Sequence, residues 1–253
     1  MTSTISTPSV QGNEFLLDVQ GLQAEFRVGG SRWVPVTHDV SLSVRRGEVL
    51  GVVGESGSGK SVSMASVLGL MPYQGGRVAQ GRALFDGRDL LTLKERELRQ
   101  IRGSKIGMIF QDPMTSLNPV RSVQRQMVET LRAHTALTAA EAKERALELL
   151  RLVRIPDAAR RLRAYPHELS GGMRQRVMIA IALSCEPELI IADEPTTALD
   201  VTVQAQVLAL LRQRTRERGV SVVIISHDVG VIASLADRIA VMYRGTIVGI
   251  VPG

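Results

Sequence analysis

The sequence predicts an α/β fold with a mainly parallel sheet, an antiparallel β layer beside it and an inserted helical subdomain. Apolar strand-like segments alternate with helical segments over residues 40–110 and 187–251, and this alternation is typical of parallel sheets. A glycine-rich segment, residues 54–61, lies between an apolar strand and a helix. Residues 111–186 show helical spacing without a convincing strand, so we expect them to form the helical insertion.

The amino-terminal half supplies the β layer and begins the parallel sheet. Residues 16–26 alternate loosely between apolar and polar side chains and residues 40–44 alternate strictly, as in antiparallel strands with one buried face. Residues 49–53 are continuously apolar, which indicates a strand buried on both faces. This half is further predicted to contain a helix over 61–70 that Pro72 stops, a short strand over 83–87, a charged helix over 93–102 and a buried strand over 106–110.

The remaining elements complete the insertion and the core. Helices are predicted over 123–134, 139–155, 158–165, 177–183, 201–218 and 231–236, and buried strands over 188–193 and 220–226. Residues 239–243 and 246–251 predict a hairpin around Arg244 and Gly245. We therefore expect a disordered tail, residues 1–12, and a single domain, residues 13–253. Its α/β core, residues 13–110 and 187–253, is interrupted by a helical subdomain, residues 111–186.

Composition limits the classes of function. A net charge of +6 fits binding to nucleic acid or to an anionic membrane, or simply a solvated basic surface. Acidic residues are interleaved with the arginines between Arg96 and Arg176, and aromatic residues make up only 3% of the chain, which favours the solvated surface and disfavours base stacking. A single cysteine, Cys185, excludes a disulfide framework. No apolar run approaches the roughly 18 residues of a membrane span, so we expect any membrane role to need a partner.

Residues 54–61 read G-x-x-x-x-G-K-S, the pattern of a phosphate-binding loop. Glycines let backbone N–H groups converge on a phosphate, and the following helix directs its positive end to the same place. Lys60 is expected to contact the β- and γ-phosphates, and the Ser61 hydroxyl to bind Mg²⁺. The predicted phosphate-binding residues are Ser56, Gly57, Ser58, Gly59, Lys60 and Ser61.

Polar side chains follow three of the predicted buried strands. Asp193 ends one strand and Glu194 follows it, while Gln111 follows another strand and His227 a third. Parallel strands end at the same sheet edge. We expect Asp193 to hold Mg²⁺ through water and Glu194 to polarise the water that attacks the γ-phosphate. Gln111 could contact Mg²⁺ or that water, and His227 could contact the γ-phosphate, Glu194 or the water. Taken alone, each of these residues also fits an ordinary turn.

A second phosphate-binding feature precedes the apolar helix predicted over 177–183. Ser170, Gly171 and Gly172 form a small polar turn at a helix start, where N–H groups and the helix dipole suit an anion. One chain does not need two such sites for one nucleotide. Two chains that pack head to tail could share each ATP.

With these motifs in this order, the chain resembles ATP-binding cassette (ABC) ATPases over essentially residues 16–253, including the Ala198-Leu199-Asp200 segment. Residues 110–119, F-Q-D-P-M-T-S-L-N-P, and 165–176, Y-P-H-E-L-S-G-G-M-R-Q-R, resemble the oligopeptide and dipeptide importer branch, which also includes nickel and glutathione importers. The resemblance implies a P-loop NTPase (RecA-like) core that uses ATP and Mg²⁺.

The resemblance also implies roles for the signature segment, residues 169–175. Ser170, Gly171 and Gly172 would face the γ-phosphate held by the opposite protomer, with Gln175 included among the nucleotide-binding residues. Asp200 would link the two sites across the dimer.

An upstream aromatic usually stacks on adenine in this family. Counting along the first strand gives Phe26 that position, with Trp33 as the alternative. Val62, included in the nucleotide site, stands where many relatives carry a second hydroxyl for the α-phosphate, and Ser63 lies next to it.

The implied function is an ATP-hydrolysing subunit of an importer for di- or oligopeptides or similar small solutes, located peripherally at the cytoplasmic face of the bacterial inner membrane. The implied partners are a second ATPase subunit, identical or a sister, and a permease whose short cytoplasmic helix docks around residues 111–119. An extracytoplasmic solute-binding protein would act indirectly, and no nucleic acid is expected. Importers of this branch usually continue for tens of residues past the position of Gly253.

Three alternatives remain open. A soluble, non-transport ABC ATPase would act on nucleic acid or ribosomes, but such relatives tend to carry a long coiled-coil insertion or two cassettes, and neither is visible in the sequence. A binding module would hold ATP without hydrolysing it. An exporter would lack the importer-type sequence motifs at residues 110–119 and 165–176.

Overall fold

Two β sheets and a group of helices form the part of the chain that the structure, a computed structural model, describes: residues 14–196 and 199–253. The tail predicted over residues 1–12, and Ala198, lie outside the described residues. The strands are β1 (Phe15–Val28), β2 (Arg32–Pro35), β3 (Val40–Arg45), β4 (Val49–Val53), β5 (Gly76–Phe85), β6 (Arg88–Asp89), β7 (Ile106–Ile109), β8 (Leu189–Asp193), β9 (Ser221–Ser226), β10 (Arg238–Tyr243) and β11 (Thr246–Pro252).

The helices confirm most of the predicted segments and correct their ends. They are α1 (Lys60–Val67), α2 (Glu95–Ile101), α3 (Pro113–Ser116), α4 (Val123–His134), α5 (Ala139–Leu152), α6 (Ala158–Arg161), α7 (Gly171–Leu183), α8 (Val201–Arg218) and α9 (Val229–Ala233). Helix α1 ends before the predicted residue 70 because Gly69 adopts a left-handed backbone with φ 64°, which stops the helix. Helix α7 begins earlier than residue 177 because the Ser170 hydroxyl caps it, accepting a hydrogen bond from the Met173 N–H at 3.3 Å.

The larger sheet is mainly parallel, as predicted. Its strand order is β11-β10-β4-β9-β8-β7, and only the hairpin partner β11 runs antiparallel. Strands β4, β8 and β9 are buried along their whole lengths, which explains their continuous apolar sequences. Because these strands are parallel, the segments that follow β4, β7, β8 and β9 emerge at one edge of the sheet.

The second sheet is antiparallel, as predicted, but it is more extensive than the sequence indicated. Strand β1 pairs with β3 and then β2 along one side and with β5 along the other. Strand β5 starts at Gly76, whereas the sequence suggested residue 83, and β2 was not among the predicted strands. Six consecutive β5 positions, from Arg77 to Arg82, are not buried, so the alternation that signals a half-buried strand is missing there.

Between β7 and β8, a stretch that is described throughout, the regular elements are helical. Buried residues of α4, α5 and α7 share one hydrophobic core with residues of β8 and β9. This arrangement is compatible with a helical insertion into the core, and the domain boundaries given above stay a prediction. Within the described ranges, no helix is both long enough and apolar enough to cross a membrane.

Candidate active site

The phosphate-type loop connects β4 to α1, in the predicted strand–loop–helix order. Gly59 is the N-cap of α1 with φ 101°, a conformation that favours glycine. Gly54 is required for a different reason. A Cβ atom at this position would lie 2.2 Å from the carbonyl oxygen of Met242, far closer than real contacts. The loop can therefore run this close to β10 only because residue 54 has no side chain.

Lys60 lies beneath this loop and is buried. Its Nζ donates hydrogen bonds to the carbonyl oxygens of Gly54 at 2.7 Å and Glu55 at 2.8 Å. Burial lowers the pKa of Lys60, while the nearby carboxylates of Glu194 and Asp193 act in the opposite direction. The two hydrogen bonds hold the Lys60 amino group at the loop, where a phosphate would require it.

The outer part of the loop is open to solvent, and its inner part is braced. Ser56 and Gly57 are exposed, and Ser58 is buried. The Gly245 N–H donates to the carbonyl of Ser58 at 2.9 Å, and the His38 N–H donates to the carbonyl of Gly245 at 2.7 Å. Sequence reasoning did not assign Gly245 this bracing contact, although it did predict the hairpin turn that contains it.

Ser61 and Asp193 meet directly. The Ser61 hydroxyl in the first turn of α1 donates to Oδ1 of Asp193, the last residue of β8, at 2.9 Å. Asp193 is only 5% exposed, and burial raises its pKa against the hydrogen bond from Ser61. A hydroxyl and a carboxylate are oxygen donors of the kind that Mg²⁺ prefers, so this pair fits the predicted metal role.

Glu194 lies at the centre of a second set of contacts. Its Oε2 accepts a hydrogen bond from Nε2 of Gln111 at 3.0 Å, and its Oε1 lies 3.2 Å from Nδ1 of His227. These side chains follow the neighbouring strands β7, β8 and β9. The structure thus brings together the three residues predicted to be catalytic, with Glu194 largely covered and His227 mostly exposed.

The backbone at Glu194 has an unusual conformation. Its φ is 46°, a left-handed value that is uncommon for a residue with a side chain. Consecutive strand residues normally point to opposite faces. Here Asp193 contacts Ser61 while Glu194 contacts Gln111 and His227, so two adjacent carboxylates serve different partners.

The signature turn is presented outward. Ser170 and Gly171 are exposed, and nothing lies within 4 Å of the position a Cβ of Gly171 would take. Asp200 caps α8 by accepting a hydrogen bond from the Val203 N–H at 3.0 Å, and it is exposed. Among the described residues, no hydrogen bond joins the 170–172 turn to the phosphate-type loop. The chain therefore offers two separate anion-suited surfaces.

Gln175 requires a correction. Its side chain is 0% exposed, and its Nε2 donates to the carbonyl of Pro195 at 2.8 Å, so it has no accessible atom for the nucleotide contact that the resemblance implied. Helical spacing contained the signal, because Gln175 shares a helix face with Met178 and Ile179, which are both buried.

The two candidate adenine-stacking aromatics lie in different surroundings. Phe26 packs with Val62 against a small cluster that includes Ala65 of α1. The ring of Trp33 is covered by the guanidinium of Arg77, 4.3 Å from the ring centroid. Phe26 is thus adjacent to the helix that follows the loop, and its role in stacking on adenine stays a prediction. The structure separately shows that the hydroxyl of Ser63, buried in the same helix, donates to the carbonyl of Gly59 at 2.9 Å.

Comparisons with known proteins agree with this geometry. Residues 37–197 match the family model described as ABC transporter. The chain is 55% identical to the peptidoglycan transport ATP-binding protein YejF of Agrobacterium fabrum, over 92% of this chain and 42% of that protein. It is 50% identical to the dipeptide transport ATP-binding protein DppD of Bacillus subtilis, over 92% of this chain and 69% of that protein. The chain thus spans less than half of the first relative and about two thirds of the second.

The structure also superposes on a solved cassette. The dimeric structure of the ATP-binding cassette MJ0796 in a post-hydrolysis state, bound to ADP and Pi, gives a TM-score of 0.84 at 29% identity. The match covers 93% of this chain and 98% of that chain.

Proposed function

The chain belongs to the ABC transporter family, and we propose that it is the ATP-binding and ATP-hydrolysing subunit of an importer for di- or oligopeptides or similar small solutes. Relatives at 50–55% identity carry names for peptidoglycan, dipeptide and oligopeptide transport. This chain spans 42–69% of the length of those proteins, and their transport roles support the proposal.

One observation carries the hydrolytic part of the proposal: Glu194 is held by Gln111 and His227 next to the Ser61–Asp193 pair. A carboxylate fixed at the sheet edge beside a phosphate-binding loop can orient and polarise a water molecule for attack on a γ-phosphate. Gln111 and His227 would fix its direction. Lys60 would balance the phosphate charge, and Mg²⁺ bound at Ser61 and Asp193 would supply further charge neutralisation.

We propose that the complete site needs a second ATPase subunit. In the described part of the chain, the turn of Ser170, Gly171 and Gly172 makes no hydrogen bond to the phosphate-type loop, yet its geometry suits an anion. The MJ0796 cassettes in the solved structures are dimeric, which supports a head-to-tail pair here. ATP would bind the closed pair more tightly than the open one, and this difference in affinity is what can drive a coupled partner.

The proposed permease contact lies beside Gln111. Phe110, Met114 and Val120 are large apolar residues with at least 40% exposure, and an exposed apolar group of this kind is typical of an interaction surface. A cytoplasmic helix of a permease would cover it. Peripheral location at the cytoplasmic membrane face follows from that contact.

The first experiment measures Mg²⁺-dependent ATP hydrolysis by the purified full chain and its Glu194→Gln variant. Glutamine preserves shape but removes the base, so we expect turnover to fall by about 100-fold or more while ATP binding is retained. With ATP, this variant should form dimers in size-exclusion chromatography.

A matched control is Glu188→Gln, which changes an ion-paired glutamate just before the start of β8. This control should hydrolyse ATP normally. Wild-type protein without turnover, or full turnover in Glu194→Gln, would contradict the proposal.

A second experiment separates the importer from an ATPase acting on ribosomes or nucleic acid. Tagged full chain is purified from membranes, and its partners are identified by mass spectrometry. Permease subunits are the expected partners, and ribosomal proteins with RNA would favour the alternative.

A further inference from the structure

Gln175 lies on α7, the helix that the Ser170 turn begins, but its amide reaches the segment that carries Glu194. Nε2 donates to the carbonyl oxygen of Pro195 at 2.8 Å. Pro195 directly follows Glu194 and is buried. The hydrogen bond therefore joins two segments that are 20 residues apart in the sequence and that have separate proposed roles.

The backbone of Glu194 is held from both sides by this arrangement. Its own N–H donates to the carbonyl of Ile225 in β9 at 3.0 Å, and Gln175 holds the carbonyl of the following residue, Pro195. Glu194 needs such support because its left-handed φ of 46° is a conformation that persists only when surrounding contacts hold it. Release of one contact would let the carboxylate move relative to Gln111 and His227.

The chemistry of Gln175 is also unusual for a residue with a purely structural role. Its Oε1 is buried and has no hydrogen-bond partner among the described residues. A buried amide oxygen without a partner lowers stability relative to an apolar side chain of the same shape. An apolar residue at this buried position would avoid that cost, but it could not make the bond to Pro195.

We propose that Gln175 is a positioning residue for Glu194, acting through the carbonyl of Pro195 and linking the helix behind the Ser170 turn to the hydrolytic carboxylate. This inference rests on the proposed ATPase function. It adds that a displacement of the Ser170 end of α7 changes the position of Glu194 in the same chain. The link is intramolecular and differs from the contact with a partner's nucleotide.

The test compares Gln175→Met with wild type in the full chain. Methionine keeps the length and volume of the side chain but cannot donate to Pro195. We expect kcat for ATP hydrolysis to fall about tenfold, with the KM for ATP unchanged and the melting temperature unchanged or higher. Ser184→Ala is the matched control, because Ser184 is a buried polar residue just after α7 that hydrogen-bonds a backbone carbonyl, that of Ile181. This control should keep the wild-type kcat.

A second variant, Gln175→Glu, tests the same bond by another route and covers the case in which methionine disrupts folding. A protonated carboxyl group can donate to the Pro195 carbonyl, whereas a carboxylate cannot, and burial favours the protonated form. The ratio of variant to wild-type kcat should therefore rise as the pH falls from about 8 to about 6.

An unchanged kcat in Gln175→Met, or a kcat that falls only together with the melting temperature, overturns the proposal, as does a pH-independent ratio for Gln175→Glu. Absence of turnover in the wild-type chain would instead contradict the ATPase proposal itself.

Discussion

Asp193 provides a prediction in which stability and activity change in opposite directions. The side chain is 5% exposed, and burial of its charge is the largest influence on its pKa, which it raises. Asp193→Asn removes the buried charge and the repulsion from Glu194, and its amide oxygen can still accept the Ser61 hydrogen bond. The attraction to Lys60 is lost, but it is a smaller influence on Asp193 than burial.

We expect Asp193→Asn to raise the free energy of unfolding by about 1 kcal/mol at neutral pH, as replacement of a strained functional group commonly does. For a chain of this size, such a gain corresponds to a melting temperature higher by about 2–4 °C. Mg²⁺-dependent ATP hydrolysis should fall by about 100-fold or more, because the metal loses a charged ligand.

The pH dependence gives the sharper check. With a raised pKa, folded Asp193 keeps its proton above the pH at which the unfolded chain releases it, so wild-type stability falls as the pH rises through this window. The variant lacks this titration. The difference in free energy of unfolding between Asp193→Asn and wild type should therefore be largest above the raised pKa. It should become smaller as the pH is lowered towards 3.8, the ordinary pKa value.

The assay is thermal unfolding followed by circular dichroism, without nucleotide or Mg²⁺, at a series of pH values. Asp200→Asn is the matched control because Asp200 is exposed and caps a helix, and asparagine caps equally well. Its melting temperature should stay close to that of wild type at every pH. A lower melting temperature for Asp193→Asn at neutral pH, or a difference that does not change with pH, would refute the reasoning.

Two further predictions concern nucleotide binding. Phe26→Ala should weaken ATP binding by about tenfold, since loss of one stacking contact costs roughly 1–3 kcal/mol, whereas Trp33→Ala should leave the affinity unchanged. Fluorescence titration with an ATP analogue measures both affinities. A larger loss in Trp33→Ala than in Phe26→Ala would assign adenine stacking to Trp33. Gly54→Ala should destabilise the fold by about 1–3 kcal/mol and abolish ATP binding, because the added Cβ collides with the Met242 carbonyl. A melting temperature equal to that of wild type would contradict this prediction, because it would show that the loop can shift.

The sequence predicted the parts of this site that depend on local order. A phosphate-type loop must follow a strand and begin a helix, so β4, the loop and α1 could be placed from residues 49–61 alone. The hairpin of β10 and β11 was similarly evident, because its turn at Arg244 and Gly245 requires two residues with positive φ, observed at 43° and 83°. These features are set by neighbours in the chain.

The features that were not predictable depend on contacts between distant segments. Strand β5 carries a run of unburied residues and is held by hydrogen bonds to β1. The hydrophobic periodicity of its sequence does not indicate this pairing. Gln175 was assigned to the nucleotide because it ends the signature segment. Helical spacing with Met178 and Ile179 indicated that Gln175 is buried, but its hydrogen bond to Pro195 depends on how distant segments pack and could not be predicted.

Strand order explains why three weak sequence signals become one site. Gln111, Glu194 and His227 each follow a strand, and each alone could be a turn residue. The sheet places β8 between β7 and β9, so Glu194 lies between the other two, and its left-handed backbone turns the carboxylate towards them. Asp193 and Glu194 thus combine a buried charge with a strained backbone in two adjacent residues, and both features reduce stability. Since neither feature improves packing, their coincidence at the end of one strand is best explained by the reaction we propose for this site.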